Sequence, residues 1–94
     1  MKEENCTYLL RCADGTLYCG WTNDPKKRLA AHNAGTASKY TRTRRPVKMV
    51  YAERHATRQE AMRREYRIKR LSKEEKETLI TSGSNEVGAV LSNS

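Results

Sequence analysis

Two short runs of β-forming residues lying close together restrict the fold of this chain more than any other feature. Thr7-Tyr8-Leu9-Leu10-Arg11-Cys12 and Leu17-Tyr18-Cys19-Gly20-Trp21-Thr22 are separated by Ala13-Asp14-Gly15-Thr16, a hairpin signal. The register of that hairpin decides which side chains meet. With Ala13-Asp14-Gly15 as a three-residue loop and Gly15 in the left-handed position, Cys12 faces Thr16, Leu10 faces Tyr18 and Tyr8 faces Gly20. Both tyrosines then share one face, and Gly20 leaves open space beside the Tyr8 phenol. A two-residue Asp14-Gly15 turn would shift the pairing by one and send the tyrosines to opposite faces, because side chains alternate with a period of two. The three-residue loop is the favoured reading.

Beyond the hairpin, Asp24 can cap a helix and Pro25 suits its first position; the helix runs through Lys26 to Asn33 and closes at Gly35. The stretch from Gly35 to Pro46 has no apolar periodicity and carries Lys39, Tyr40, Arg42, Arg44 and Arg45, which predicts an exposed basic loop. Tyr40 among these cations offers a stacking surface for a base. Val47 to Glu53 alternates only roughly, but its β-branched content and the preceding Pro46 favour a third strand. Thr57-Arg58-Gln59-Glu60 matches a capping box and starts a helix to about Leu71, with Ala61, Met62, Ile68 and Leu71 facing inward. A second capping box, Ser72-Lys73-Glu74-Glu75, starts a short helix through Leu79 and Ile80 that ends near Ser82-Gly83. The element order is β-β-α-β-α-α, an α+β chain with one domain over 5–82 and a loosely held tail over 83–94.

Length and charge narrow the function. A chain of 94 residues supports one modest core, and with no Phe and one Trp that core is built from aliphatics, Ala and Tyr. The formal net charge of +8 attracts polyanions, so nucleic acid is the first partner to consider and an anionic membrane the second. No apolar run approaches 18 residues and no signal-peptide or lipidation pattern is evident, which predicts a soluble, cytoplasmic protein without membrane attachment. Cys6, Cys12 and Cys19 are odd in number and lack the close pairs of common zinc sites, and they read as buried reduced thiols.

Three features call for chemistry. Tyr8 and Tyr18 share a strand face with Gly20 beside them. Arg28 and His32 stand i,i+4 on the first helix and can reach one phosphate together. Glu65 lies i+4 from Ala61 and i−3 from Ile68, on the stripe its helix buries, where an unpaired carboxylate is costly and a metal ion would remove the cost. A plainer reading pairs Glu65 with Arg64 or Lys69, and leaves the cations Arg63, Arg64, Arg67, Lys69 and Arg70 as an outer face with phosphate contact open to some of them.

In this order and spacing, a strand tyrosine, Tyr-x-Gly, Arg-x-x-x-His and Ala-x-x-x-Glu, the chain resembles the GIY-YIG nuclease superfamily. From Cys6 to Ile80 it is similar to the small single-domain bacterial YhbQ-like branch, in Tyr-Leu-Leu-Arg-Cys-Ala-Asp-Gly, Tyr-Cys-Gly-Trp-Thr and Arg-Arg-Pro-Val. The resemblance implies a three-stranded antiparallel sheet flanked by helices, and a metal-dependent DNA endonuclease. In it Tyr8 serves as general base or orients the attacking water, Tyr18 helps position water or phosphate, and Gly20 gives the backbone room. Arg28 stabilises charge on the phosphate, His32 stands beside the nucleophile, and Glu65 is the sole protein ligand of a divalent cation, Mg²⁺ or Mn²⁺. Here the two triplets read Cys6-Thr7-Tyr8 and Tyr18-Cys19-Gly20, with Trp21 following where several members carry Lys. A non-catalytic nucleic-acid-binding module of the same fold is the alternative, acting in DNA repair or in a ribosome-associated assembly. The expected protein is a monomer, with a protein partner supplying specificity left open.

Overall fold

The structure, a computed structural model, describes residues 4–92. Strands β1 (Cys6–Arg11), β2 (Leu17–Thr22) and β3 (Lys48–Arg54) form one antiparallel sheet in the order β2-β1-β3. The hairpin has the expected register: Tyr8 pairs with Gly20 and Leu10 with Tyr18, the Cys12 amide donates to the Thr16 carbonyl at 2.9 Å, and Gly15 adopts φ +86°. That left-handed value is costly for a side-chain-bearing residue, so Gly15 is what lets the loop close in this register.

The period of two divides the sheet into two faces. Cys6, Tyr8 and Leu10 of β1 lie on the first face with Met49 and Ala52 of β3. Leu9 and Cys19 lie on the second with Tyr51. Between Leu9 and Leu10 the pairing with β3 slips, from Leu9–Tyr51 to Leu10–Met49, so Val50 is skipped. A bulge of this kind resets the phase, which is why β3 reads as only rough alternation.

Helix α1 (Pro25–Ala34) covers the first face through Leu29 and His32, with Asp24 Oδ1 accepting from the Lys27 amide at its start and Gly35 closing it. Helices α3 (Arg58–Lys69) and α4 (Lys73–Ile80) cover the second face. Their caps are Thr57 and Ser72, the latter in a complete capping box with Glu75. At α3 the box is displaced by one residue, since the Glu60 carboxylate accepts from the Ala56 amide. Ala61 and Ile68 are buried and Leu71 is partly so, but Met62 is 46% exposed and does not belong to the inner stripe.

Two expectations are corrected. The basic stretch before β3 is not only loop: Ser38 caps a short helix, α2 (Lys39–Arg42), whose Thr41 is fully buried. The stretch after Gly83 is not loose over 84–92. It carries α5 (Val87–Ser92), whose Val90 is buried in the first-face core with Val87 and Leu91 packed around it. Asn85 fastens this segment to β3 and to the end of α4, donating to the carbonyls of Val50 and Ile80 at 2.9 Å each and accepting from the Ala52 amide at 3.3 Å. Residues 93–94 of the expected tail lie outside the described residues.

Candidate active site

The centre of the first face is a phenol laid over a glycine. Tyr8 is only 2% exposed. A Cβ built on Gly20 would stand 2.5 Å from the Tyr8 hydroxyl oxygen and 3.3 Å from the Tyr18 ring. The space expected beside the phenol is therefore filled by the phenol itself, and the absence of a side chain at position 20 is what admits it.

Helix α1 brings His32 onto this ring. The Tyr8 hydroxyl lies 2.9 Å from His32 Nε2, and His32 Nδ1 lies 2.8 Å from Thr41 Oγ1. Behind it, Ser38 Oγ is 3.0 Å from Thr41 Oγ1 and accepts from the Thr41 amide. The result is a continuous chain from Tyr8 through His32 to Thr41 and Ser38. Burial, and then the positive charge of Arg28, push the His32 imidazole down from 6.5 to about 4, so it is neutral at pH 7. Burial pushes the Tyr8 phenol upward; Tyr18 adds to this and Arg28 opposes it. Arg28, one turn before His32 on α1, is exposed and bears electrostatically on both groups.

Aromatic contacts extend the cluster outward. Tyr18 meets His32 edge to face at 5.2 Å between centroids and stacks on Tyr40 at 5.9 Å. The Arg44 guanidinium lies over the Tyr40 ring at 3.8 Å, held by Asp14 at 3.0 Å and by the Tyr40 carbonyl. Arg45 donates to the carbonyls of Arg42 and Asn33. Of the five basic-loop residues singled out from the sequence, Tyr40, Arg44 and Arg45 thus brace the loop against the site, while Lys39 and Arg42 stand exposed on α2.

The structure therefore gathers Tyr8, Tyr18, Gly20, Arg28 and His32 on one face, and adds Thr41 and Ser38, which the sequence reading did not single out. The one signal for them was the Ser-x-x-Thr spacing of a cap. Glu65 is placed differently. It rides on α3 over the second face, its backbone carbonyl 3.9 Å from the Cys19 sulfur, and its carboxylate pairs with Lys69 at 3.4 Å, the plainer of the two readings.

Comparison with known proteins decides the family. Residues 4–78 match the model of the GIY-YIG catalytic domain. The chain belongs to the GIY-YIG family. Within it, the sequence is 51% identical over 79 residues to a UPF0213 protein of Bacillus pumilus, spanning 84% of this chain and 81% of that one. It is 51% identical over 80 residues to a UPF0213 protein of Clostridium perfringens, spanning 85% and 86%. The solution NMR structure of a UPF0213 protein from Bacillus halodurans superposes with a TM-score of 0.56 at 38% identity, covering 86% of each chain. The GIY-YIG domain is typical of endonucleases that act on nucleic acid, and such nucleases typically use divalent metals.

The residues of this GIY-YIG chain fit such an ion in donor chemistry. Glu65 offers hard carboxylate oxygens with 22% of its side chain exposed, and its partner Lys69 is a solvent-facing ammonium that an ion can displace. Among the described residues no group of three His, Cys, Asp or Glu side chains is placed to hold a metal. An ion on Glu65 would keep most of its waters, as Mg²⁺ does. No helix among the described residues is long and apolar enough to cross a membrane.

Proposed function

We propose that this GIY-YIG chain is a divalent-metal-dependent endonuclease that hydrolyses phosphodiester bonds in nucleic acid, with DNA favoured over RNA. The observation that carries the reading is the Tyr8–His32–Thr41 chain, a phenol hydrogen-bonded to a buried neutral imidazole whose other nitrogen is engaged by a hydroxyl. Thr41 Oγ1 is also 3.5 Å from the Ser38 carbonyl, and a proton directed there leaves the oxygen to accept from His32 Nδ1–H. Nε2 is then the acceptor for the Tyr8 proton.

In this arrangement Tyr8 takes a proton from an attacking water while passing its own to His32. The phenol is thereby spared full ionisation, which its burial opposes. Tyr18, half-buried at the mouth, orients the water or the phosphate. Arg28 faces solvent one turn from His32 and binds the phosphate, where a guanidinium matches the charge that develops on its oxygens. Glu65 lies on α3 beside the outer strand β2 and would hold the metal there. Once bound, the ion would supply Lewis-acid stabilisation of the phosphate.

A second reading, a non-catalytic nucleic-acid-binding module, draws on the near-complete burial of Tyr8 and on the pairing of Glu65 with Lys69. One experiment separates the two. Wild type, Glu65→Ala and Tyr8→Phe are incubated with supercoiled, branched and single-stranded DNA and with RNA, in Mg²⁺ or Mn²⁺, and cleavage and binding are scored on the same samples. Metal-dependent cutting that disappears in both variants while binding persists is expected. Binding without cutting by any of the three replaces the nuclease with the module.

A further inference from the structure

On the opposite side of the sheet from Tyr8 and His32, an open pocket of about 370 Å³ is lined by His55, Glu60, Arg63, Arg64 and Arg67. Its residues come from the turn after β3 and from α3, which covers the face away from Tyr8 and His32. We infer that this pocket is a second phosphate-binding site, occupied by a backbone phosphodiester of the nucleic acid away from the point of cleavage.

The charge on its wall is unevenly spent. Arg64 is committed: its Nε donates to Glu53 Oε2 at 2.7 Å, and Glu53 also accepts from the Tyr51 hydroxyl. Glu60 is committed as well, its carboxylate accepting from the Ala56 amide at the start of α3. Arg63 and Arg67 are exposed, four residues apart on the same helix face, and neither forms an ion pair among the described residues. Like charges at that spacing oppose helix formation, and a shared anion converts the repulsion into two charge-assisted hydrogen bonds. His55 lines the pocket with its Nε2 buried and 3.0 Å from Glu53 Oε2, so this nitrogen is turned toward the carboxylate and Arg63 and Arg67 carry the free charge. The pocket is open to solvent, so it can receive a phosphate that is part of a longer chain running past it.

The inference rests on the nucleic-acid reading above, and the test keeps the two apart. Amide and imidazole NMR signals of wild type, Arg63→Ala/Arg67→Ala and Arg63→Lys/Arg67→Lys are followed during titration with inorganic phosphate and, separately, with a short DNA duplex without metal. The slope of log affinity against log salt is measured for the same duplex. The expected result is movement of the His55 and α3 signals with the duplex in wild type, its loss in the alanine variant, and a salt slope shallower by about one in that variant, the loss of one neutralised phosphate. The lysine variant, which keeps both charges, should keep the slope. Movement confined to the His32 face, or an unchanged slope, overturns the second site and leaves the nuclease reading standing. Movement of the pocket signals with phosphate alone overturns the assignment to a nucleic-acid backbone. A duplex that moves neither face overturns this inference together with the reading it rests on.

Discussion

Tyr8 and His32, far apart in sequence, share a hydrogen bond of 2.9 Å in a place where each is at most 2% exposed. Holding an imidazole there makes stability depend on pH. The unfolded chain protonates His32 near 6.5, the folded chain only near 4. Between those values the unfolded state binds more protons, so stability is complete above pH 6.5 and is lost as the pH falls toward 4. The full difference corresponds to about 3 kcal/mol. Denaturant unfolding at pH 7 and pH 4.5 should show a loss of that order in wild type and a much flatter response in His32→Gln. An equal loss in both proteins would place the acid sensitivity elsewhere.

In the proposed function Thr41 acts through His32, which would make it a positioning residue. Thr41→Val keeps the shape but leaves Nδ1 without its buried partner, at a cost of about 1–3 kcal/mol. Thr41→Ser keeps the hydroxyl and should recover most of that. The pH profile of cleavage tells positioning from packing: the valine variant should shift the profile and the serine variant should retain it. Variants that lose stability alike with unmoved profiles would leave Thr41 a packing residue.

Gly20 is the tightest point of the site. Gly20→Ala places a methyl group 2.5 Å from the Tyr8 oxygen, and the ring, 2% exposed and bonded to His32, has little room to retreat. Overpacking of this kind costs about 1–3 kcal/mol and turns Tyr8 away from His32, so cleavage should fall with stability. Gly83→Ala is the control, because nothing lies within 4 Å of a Cβ there, and it should stay within about 0.5 kcal/mol of wild type. Urea unfolding of both variants checks the contrast.

The sequence made some of this legible and not the rest, for physical reasons. Gly15 and the period of two determined the hairpin register, and with it the placement of Tyr8, Tyr18 and Gly20 on one face. Capping chemistry located the starts of α1, α3 and α4, because a cap is a local hydrogen bond. The short helix α2 escaped because Thr41 is buried by His32, a contact no local pattern announces. Glu65 has the helical phase expected of it, but phase says only that a residue faces the sheet. Which face its helix covers is decided by the crossing after β3, and α3 covers the one away from Tyr8.

The segment after Gly83 gives the last prediction. Val87, Val90 and Leu91 stand at i, i+3 and i+4, an apolar stripe too short to be persuasive in sequence but sufficient once Asn85 ties its start to β3. Val90 packs into the cluster that also contains Tyr8 and Leu10, so this segment supports the same face as the site. Val90→Ala should cost about 2 kcal/mol through lost burial and a residual cavity. Asn85→Ala should cost a similar amount by leaving the Val50 and Ile80 carbonyls without their donor. Thermal and urea unfolding measure both. Near-neutral results would mean that residues 84–92 contribute little to the core, whereas the expected losses make α5 part of the scaffold that holds Tyr8 in place.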